Sequence, residues 1–465
     1  MQMRKIAKGI LLLSIFGFLY FFVFSILVFK IHNPVESNIT YDLESVRTLS
    51  NHEEYAYLVE DRHFALSIRL ALIETATTSI DVSYYTIHDD DSRDLLFGAL
   101  LEAADRGVEV RLIIDGTMHR ARGPEKEKYI ALSAHDNISV KLFDEVSFFK
   151  PHAANNVLHD KLLIIDKQYG LTGGRNIGDR YYKDSDDLTA ITYDRDVLVF
   201  SQTNDSNAVI SMKDYYDELF THDYAQEYHY STHSDFKRVN HQMRNAFNNN
   251  KQSHDYETLI TSVHEEGILV DNITFMRSPL NRMQKDPVIM RHLSELASEY
   301  DDILLQSPYI IFSDPMRELM PDTTGKNIKI LTNNIHYSPN TLATSGYFRY
   351  RNELAKNTSL YEYQSKTSMH TKTLLLGDDI TVIGSVNLDP RSAFLSTESV
   401  VVIYSEAFNN HTKLITSQYL DQSLQVDENG AYLPNATVQG VEKRPKRVSI
   451  IRAISLFTYF FDEML

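Results

Sequence analysis

Charge is absent from Gly9 to Phe29, GILLLSIFGFLYFFVFSILVF, the first feature in the pattern of apolar and polar positions along the chain. About 20 apolar helical residues cross a hydrocarbon core of roughly 30 Å, so this run predicts a transmembrane helix. Arg4, Lys5 and Lys8 precede it and only Lys30 closely follows, which predicts a cytoplasmic N-terminus and a body on the other side. The alternative is a cleaved secretory signal. Its apolar core is usually roughly 7 to 15 residues and ends at small residues, whereas FKIHNPVE follows here. Residues 1–30 therefore read as an anchor, and 31–48, with Asn33-Pro34 and few apolar positions, as a linker.

Folded patterning starts near Glu53. SIDVSYY at Ser79 to Tyr85 predicts a strand, Arg93 to Asp105 has helical apolar spacing, and Gly107 to Ile114 predicts a strand ending at Asp115. Strand, helix and strand at this length imply a right-handed parallel crossover. The order repeats from Asp301, with strand DDILLQSPYII, a helical turn over Pro315 to Met320 and strand NIKILTNN. Two units follow, 49–235 and 257–430. The polar stretch 236–256, rich in Asn, Gln and His, is the expected connection, its plainer reading being an exposed helix and loop. In the tail, 431–465, Lys443-Arg444-Pro445-Lys446-Arg447 leads the apolar VSIIRAISLFTYFF. That segment is too short to span comfortably; it lies on an anionic membrane surface or docks on the body.

Composition narrows the functional classes. A hydrophobic fraction of 43% and a charged fraction of 23% fit a body that folds in water. A net charge of -17 argues against sequence-independent nucleic-acid binding, which needs many Lys and Arg contacts to phosphates. With no cysteine, disulfides, thiolate metal sites and cysteine nucleophiles are all excluded.

The chemistry lies in a duplicated constellation. His159-Asp160-Lys161-Leu162-Leu163-Ile164-Ile165-Asp166 is followed by Gly173-Gly174-Arg175-Asn176, and His370-Thr371-Lys372-Thr373-Leu374-Leu375-Leu376 by Gly384-Ser385-Val386-Asn387. In both, Lys lies two residues after His, Gly fourteen after and Asn seventeen after. His and Lys at i and i+2 on a strand project to one face, and the apolar run after them buries the strand. The return segment supplies a Gly, where a backbone can approach closely, and an Asn amide that can donate to a phosphate oxygen. A lone His-x-Lys is usually an ordinary surface strand; the repetition is what argues for a site. His119, His152, His254 and His336 lack the pattern and read as surface or loop residues. The acidic stretches His88-Asp89-Asp90-Asp91 and Asp184 to Asp187 lack the spacing of a calcium loop and read as solvated charge.

These motifs resemble the signature of the phospholipase D superfamily, and the resemblance extends from about Glu53 to Leu420. The stretches Tyr57 to Tyr85, Gly173 to Tyr182 and Gly384 to Ile403 look like bacterial cardiolipin synthases. The resemblance implies an α/β fold of two similar α/β/α sandwich half-domains sharing one active site. It implies covalent catalysis through a phosphohistidine, with His159 as nucleophile and His370 as acid and base. Lys161, Lys372, Asn176 and Asn387 would stabilise charge on the phosphoryl oxygens, aided by Gly173, Gly384 and Ser385, with no metal or cofactor needed. Asp196 and Glu398, each on the strand after its motif, would fix the histidine tautomers. The signature also expects a carboxylate five residues after Lys. Asp166 provides it and joins His159, Lys161, His370 and Lys372 as an expected catalytic residue, but the second copy has Gly377 there and Asp378 one place later, where a side chain would turn to the other face.

The expected activity is phosphatidyl transfer, making cardiolipin from phospholipids such as phosphatidylglycerol at the cell membrane, with a single span and the bulk of the chain outside the cytoplasm. The alternatives are hydrolysis by the same site, as a phospholipase D or a nuclease, and a noncatalytic lipid-binding membrane protein.

Overall fold

The computed structural model describes residues 2–24, 35–118, 121, 123, 125–203, 205–230, 236–322 and 324–464. Two mixed sheets dominate them. The first has nine strands and the second eight. In chain order the first takes β1 (Glu54–Val59), β2 (Ser79–Tyr84), β3 (Glu109–Asp115), β4 (Ile138–Phe143), β5 (Lys161–Ile165) and β6 (Tyr169–Gly173). The short β7 (Thr192–Tyr193) stands apart; β8 (Asp196–Phe200), β9 (Ala225–Glu227) and β10 (Ile268–Val270) complete that sheet.

The second sheet takes β11 (Asn272–Arg277), β12 (Asp302–Gln306), β13 (Asn327–Asn333) and β14 (Ser359–Tyr363). After the short β15 (Ser368–Met369) come β16 (Thr373–Leu376), β17 (Ile380–Gly384), β18 (Ser399–Tyr404) and β19 (Ser423–Gln425). The spatial orders are β10-β1-β8-β6-β5-β2-β3-β4-β9 and β11-β18-β17-β16-β12-β13-β14-β19. Without β10 the two correspond strand for strand. β2 and β3 pair in parallel, as do β12 and β13. Both crossovers read from the sequence are therefore present.

Period-two alternation divides the apolar side chains between layers. Leu162, Ile164, Val197 and Val199 of the first sheet share a core with Ile383, Val401 and Ile403 of the second and with the helix Asn207–Thr221. Leu163 and Ile165 face the other way, beneath the helices Arg62–Thr75 and Asp91–Asp105. The fold is thus a layered α/β arrangement in which each histidine motif begins a strand of its own sheet.

Three expected segments differ. The stretch 236–256 is mostly the helix Lys237–Ser253, whose Val239, Met243 and Phe247 are buried against the first unit. The chain then adds β10 to the first sheet and enters the second only at Asn272. The described part of the expected linker is docked. Ser37 N donates to Asp286 at 3.0 Å, Tyr41 N to His292 Nε2 at 3.2 Å, and Val46 is buried under the second sheet, because Tyr41, Leu43 and Val46 have an apolar layer to cover. At the N-terminus a helix runs over Gln2–Phe22 with Leu13 and Phe16 exposed. Among the described residues no helix is long and apolar enough to cross a membrane, and residues 25–29 of the apolar run lie outside them. The tail helix Pro445–Thr458 docks on Thr341–Asn357 and leaves Leu456 and Phe457 exposed, as is Phe460 just after it.

Candidate active site

Each histidine precedes a strand of its own sheet but is held by the chain of the other. His159 N donates to Thr397 O at 3.1 Å, and Leu158 bridges Thr397 in parallel. In the other copy β15 pairs in parallel with β7, and His370 N donates to Tyr193 O at 2.7 Å. The residue after each acceptor carbonyl is a carboxylate. His159 Nδ1 lies 2.9 Å from Glu398 Oε1, and His370 Nδ1 lies 2.6 Å from Asp194 Oδ2. A carboxylate at Nδ1 fixes the neutral ring with its proton there and leaves the Nε2 lone pair free.

Asp196, expected to orient a histidine, does not. It is buried between guanidiniums, 2.8 Å from Arg69 and 2.9 Å from Arg175. Pairing across the sheets gives the reason: Gly173 faces Asp196 and Gly384 faces Val400, so the counterpart of Glu398 lies two residues before Asp196, at Asp194.

Both glycines are required by close approach. A Cβ on Gly173 would lie 2.5 Å from Arg195 O, and one on Gly384 2.3 Å from Ser399 O. The contact lets Gly174 N and Ser385 N donate to those carbonyls at 3.0 and 2.9 Å. Ser385 Oγ in turn donates to Glu398 Oε2 and accepts from Ser399 N at 3.0 Å.

Lys161 Nζ donates to His159 O at 2.5 Å, and Lys372 Nζ lies 3.3 Å from His370 Nε2. Burial, then Lys161, Lys372 and Arg391, hold His159 well below the usual imidazole range. Burial and Lys372 push His370 down to about 4 against the pull of Asp194, and Lys161 adds to the depression. Each imidazole therefore feels both ammonium groups, which makes the two motifs one site. Burial also lowers Lys161 to about 7 against the opposing field of Glu398, and burial raises Glu398 to about 7. For Asp194 burial acts upward, but Lys372 and His370 outweigh it and hold the carboxyl below its usual range. Tyr85 meets His159 edge-on at 5.0 Å, and Tyr181 and Tyr309 stand 6.1 and 6.3 Å from His370.

The asparagines differ. Asn176 accepts from Thr86 N and donates to Tyr181 Oη, both at 3.3 Å, whereas the buried Asn387 Oδ1 has no hydrogen-bond partner among the described residues. A polar cleft of about 400 Å³ opens at His370, lined by Arg180, Tyr181, Thr192, Tyr309 and Asn340.

Asp166, expected among the catalytic residues, lies past the far end of β5, roughly 16 Å of strand from Lys161 at about 3.3 Å per residue. It accepts from Thr77, Thr78 and Ser79 N at 2.7 to 2.8 Å and so closes the start of β2. Gly377 occupies the same turn: both residues have positive φ, 54° and 49°, and their N–H groups donate to Ser79 O and Asp302 O. A Cβ on Gly377 would meet the Tyr300 ring at 2.6 Å. The departure from the signature thus changes a remote turn and leaves the site untouched.

Sequence reasoning missed Asp194, Asp115 and Asn333. Asp115 Oδ2 accepts from Leu158 N and Asn333 Oδ1 from Met369 N, both at 2.9 Å, so each fixes the residue ahead of a histidine. The available signal was their shared place at the end of the second parallel strand, β3 or β13.

The family model "Cardiolipin synthase, PLD-like domain" matches residues 70–203 and 293–419. Cardiolipin synthase C of Escherichia coli K12 is 28% identical over 414 residues, spanning 76% of this chain and 83% of that protein. An uncharacterised protein of Helicobacter pylori 26695 is 26% identical over 455 residues, spanning 85% and 87%. Among solved structures, phosphatidylserine synthase of Haemophilus influenzae shares the fold, with a TM-score of 0.60 at 12% identity over 91% of this chain and 98% of that one. With both motifs matched and more than half of its length covered, the chain belongs to the cardiolipin synthase, PLD-like domain family of the phospholipase D superfamily.

Proposed function

We propose that the chain is a phosphatidyltransferase that makes cardiolipin from phosphatidylglycerol through a phosphohistidine. The carrying observation is the cross-pairing of His159 with Glu398 and of His370 with Asp194 around two shared ammonium groups. His159 Nε2 attacks phosphorus, the bond to the headgroup glycerol breaks, and His370 gives its proton to the departing oxygen. A headgroup hydroxyl of a second phosphatidylglycerol then loses its proton to His370 and displaces histidine, so that cardiolipin and glycerol are the products. Lys161 and Lys372 offset charge on the phosphoryl oxygens. The anionic diester offsets the burial and the Lys372 repulsion that keep His370 neutral in the empty site. The relatives named cardiolipin synthase support this choice of lipids.

The test is purified full-length chain in mixed micelles of phosphate-labelled phosphatidylglycerol, with cardiolipin and glycerol measured by mass spectrometry and the covalent enzyme, denatured at alkaline pH where the P–N bond survives, mapped by peptide. His159→Ala and His370→Ala must each abolish product, and label must appear on His159. Undiminished product from both variants would refute these histidines as the catalytic pair, and no product from the wild type would instead favour a noncatalytic lipid-binding role. Hydrolysis is the second reading, because the polar cleft at His370 admits water; phosphatidic acid in place of cardiolipin would establish it.

The run Gly9–Phe29 would hold the body at the outer face of the cell membrane. In support, the helix Gln2–Phe22 is exposed and apolar, and its Tyr20 stacks on Phe148 at 5.0 Å beside the 85% exposed Phe149. Membrane fractionation and protease accessibility of the intact chain test this placement.

A further inference from the structure

The two copies differ most where a helix should cover the sheet. Between β2 and β3 the crossover helix Asp91–Asp105 has 15 residues, but between β12 and β13 its counterpart Asp314–Leu319 has 6. The consequence is visible in paired positions. Val82 faces Leu163 as Leu305 faces Leu374, and Ile80 faces Val110 as Ile303 faces Ile328. Val82, Leu163 and Val110 are sealed at 0 to 1% exposure, whereas Leu305, Leu374 and Ile328 are only half-buried.

Above them lies an apolar cavity of about 130 Å³ whose walls include Leu293, Leu305, Ile328, Leu374 and Val386. Its lining continues to Lys372, Gly384 and Asn387 of the active site. Lys372 shares a strand face with Leu374, so the ammonium group and the apolar wall belong to one surface. In the first copy the equivalent space is filled. Asp196 stands where the second copy has Val400 and Arg175 where it has Val386; the two are tied to each other, and Asp196 also to the helix residue Arg69.

The geometry points to a hydrocarbon-chain subsite: the cavity beside the short helix Asp314–Leu319, walled on that side by Phe312, Met320 and Pro321, takes the first part of one acyl chain of the lipid whose phosphate sits between Lys161 and Lys372. This deepens the proposed function and rests on it. An apolar guest is favoured because the lining is almost wholly aliphatic and opens onto the phosphate site. The volume approaches the roughly 150 Å³ of a cavity that stays dry and accepts a benzene-sized guest.

The experiment compares kcat/KM for phosphatidylglycerols carrying acyl chains from acetyl to octanoyl, supplied as monomers, with that for bis(4-nitrophenyl) phosphate, which carries no chain. In the wild type kcat/KM rises about fourfold per methylene and levels off near six carbons, when a cavity of this size is full. Leu305→Phe and Leu374→Phe fill the cavity and lower the octanoyl-to-acetyl ratio by about tenfold or more, with circular dichroism reporting the fold. A flat series in the wild type, or an unchanged ratio in folded variants, overturns the subsite. If the variants do not fold, the wild-type series alone decides. Failure of the proposed function has a different signature: the wild type cleaves bis(4-nitrophenyl) phosphate and transfers from no phospholipid.

Discussion

Replacing Asp194 by Asn tests the cross-paired site most directly. The substitution keeps the shape and one hydrogen bond but removes the charge 2.6 Å from His370 Nδ1. With charge centres roughly 4 Å apart and an effective dielectric near 20, an imidazolium loses about 4 kcal/mol of attraction. That corresponds to about 10³ in rate. The amide also fails to fix the Nδ1–H tautomer, which acts in the same direction. Turnover of phosphatidylglycerol should therefore fall by between roughly 10³ and 10⁴.

The step affected separates the two histidines. 4-Nitrophenolate leaves without a proton, so with bis(4-nitrophenyl) phosphate the first step does not need His370. Asp194→Asn should keep the rapid burst of nitrophenol and lose the slow turnover that follows, because the second step still needs a base. Glu398→Gln should lose the burst, since Glu398 holds the nucleophile His159. Rapid-quench measurements read both phases. The reasoning fails if Asp194→Asn turns over within tenfold of the wild type, or if the two variants exchange these behaviours.

Other outcomes follow from the same geometry. Asp196→Asn strands the guanidiniums of Arg69 and Arg175 in the core, so it should cost about 3 to 5 kcal/mol and lower the melting temperature; a wild-type melt refutes this. Asp166→Ala removes the acceptor for three backbone N–H groups and should cost about 1 to 3 kcal/mol, while turnover per folded molecule holds; loss of turnover in folded protein would return Asp166 to the site. The profile of kcat/KM against pH should be bell-shaped around 7. Activity rises as the Glu398 carboxyl, raised to about 7, ionises, and falls as the Lys161 ammonium, lowered to about 7, loses the charge the phosphate needs. Lys161→Arg, which keeps its charge at any accessible pH, should remove the alkaline limb alone; a limb that survives must come from another group.

How far the site could be read from sequence depended on where the chain repeats itself. His159, Lys161, Gly173 and Asn176 recur at the same spacing in the second copy because they lie on one hairpin, whose register is set by pairing. The carboxylates lie beyond it, on loops of unequal length: Asp194 is 18 residues after Asn176, but Glu398 is only 11 after Asn387. With spacing lost, Asp196 and Asp194 were equivalent in the sequence, since two residues apart on a strand share a face. The exchange of carboxylates between halves was also illegible, because it comes from the docking of Leu158 on Thr397 and of β15 on β7. The docked segment 35–48 shows the same limit: a few scattered apolar side chains suffice where another element offers them a surface.

The tripeptide Asp194-Arg195-Asp196 explains why the site and the joint between the halves form together. Asp194 holds His370, while Asp196 holds Arg69 and Arg175 within the first unit. Arg195, pointing the other way, is fully buried and reaches across. Its Nη1 donates to Gln306 Oε1, Thr373 Oγ1 and Thr416 Oγ1 at 3.0 to 3.2 Å, and its Nε to Glu60 at 2.6 Å. A guanidinium taken out of water costs several kcal/mol unless acceptors are waiting, and three of these four belong to the second half. Separation of the halves therefore leaves Arg195 short of partners while withdrawing Asp194 from His370 and Glu398 from His159. Partial opening of the joint must thus inactivate both histidines at once, before either sheet has begun to unfold.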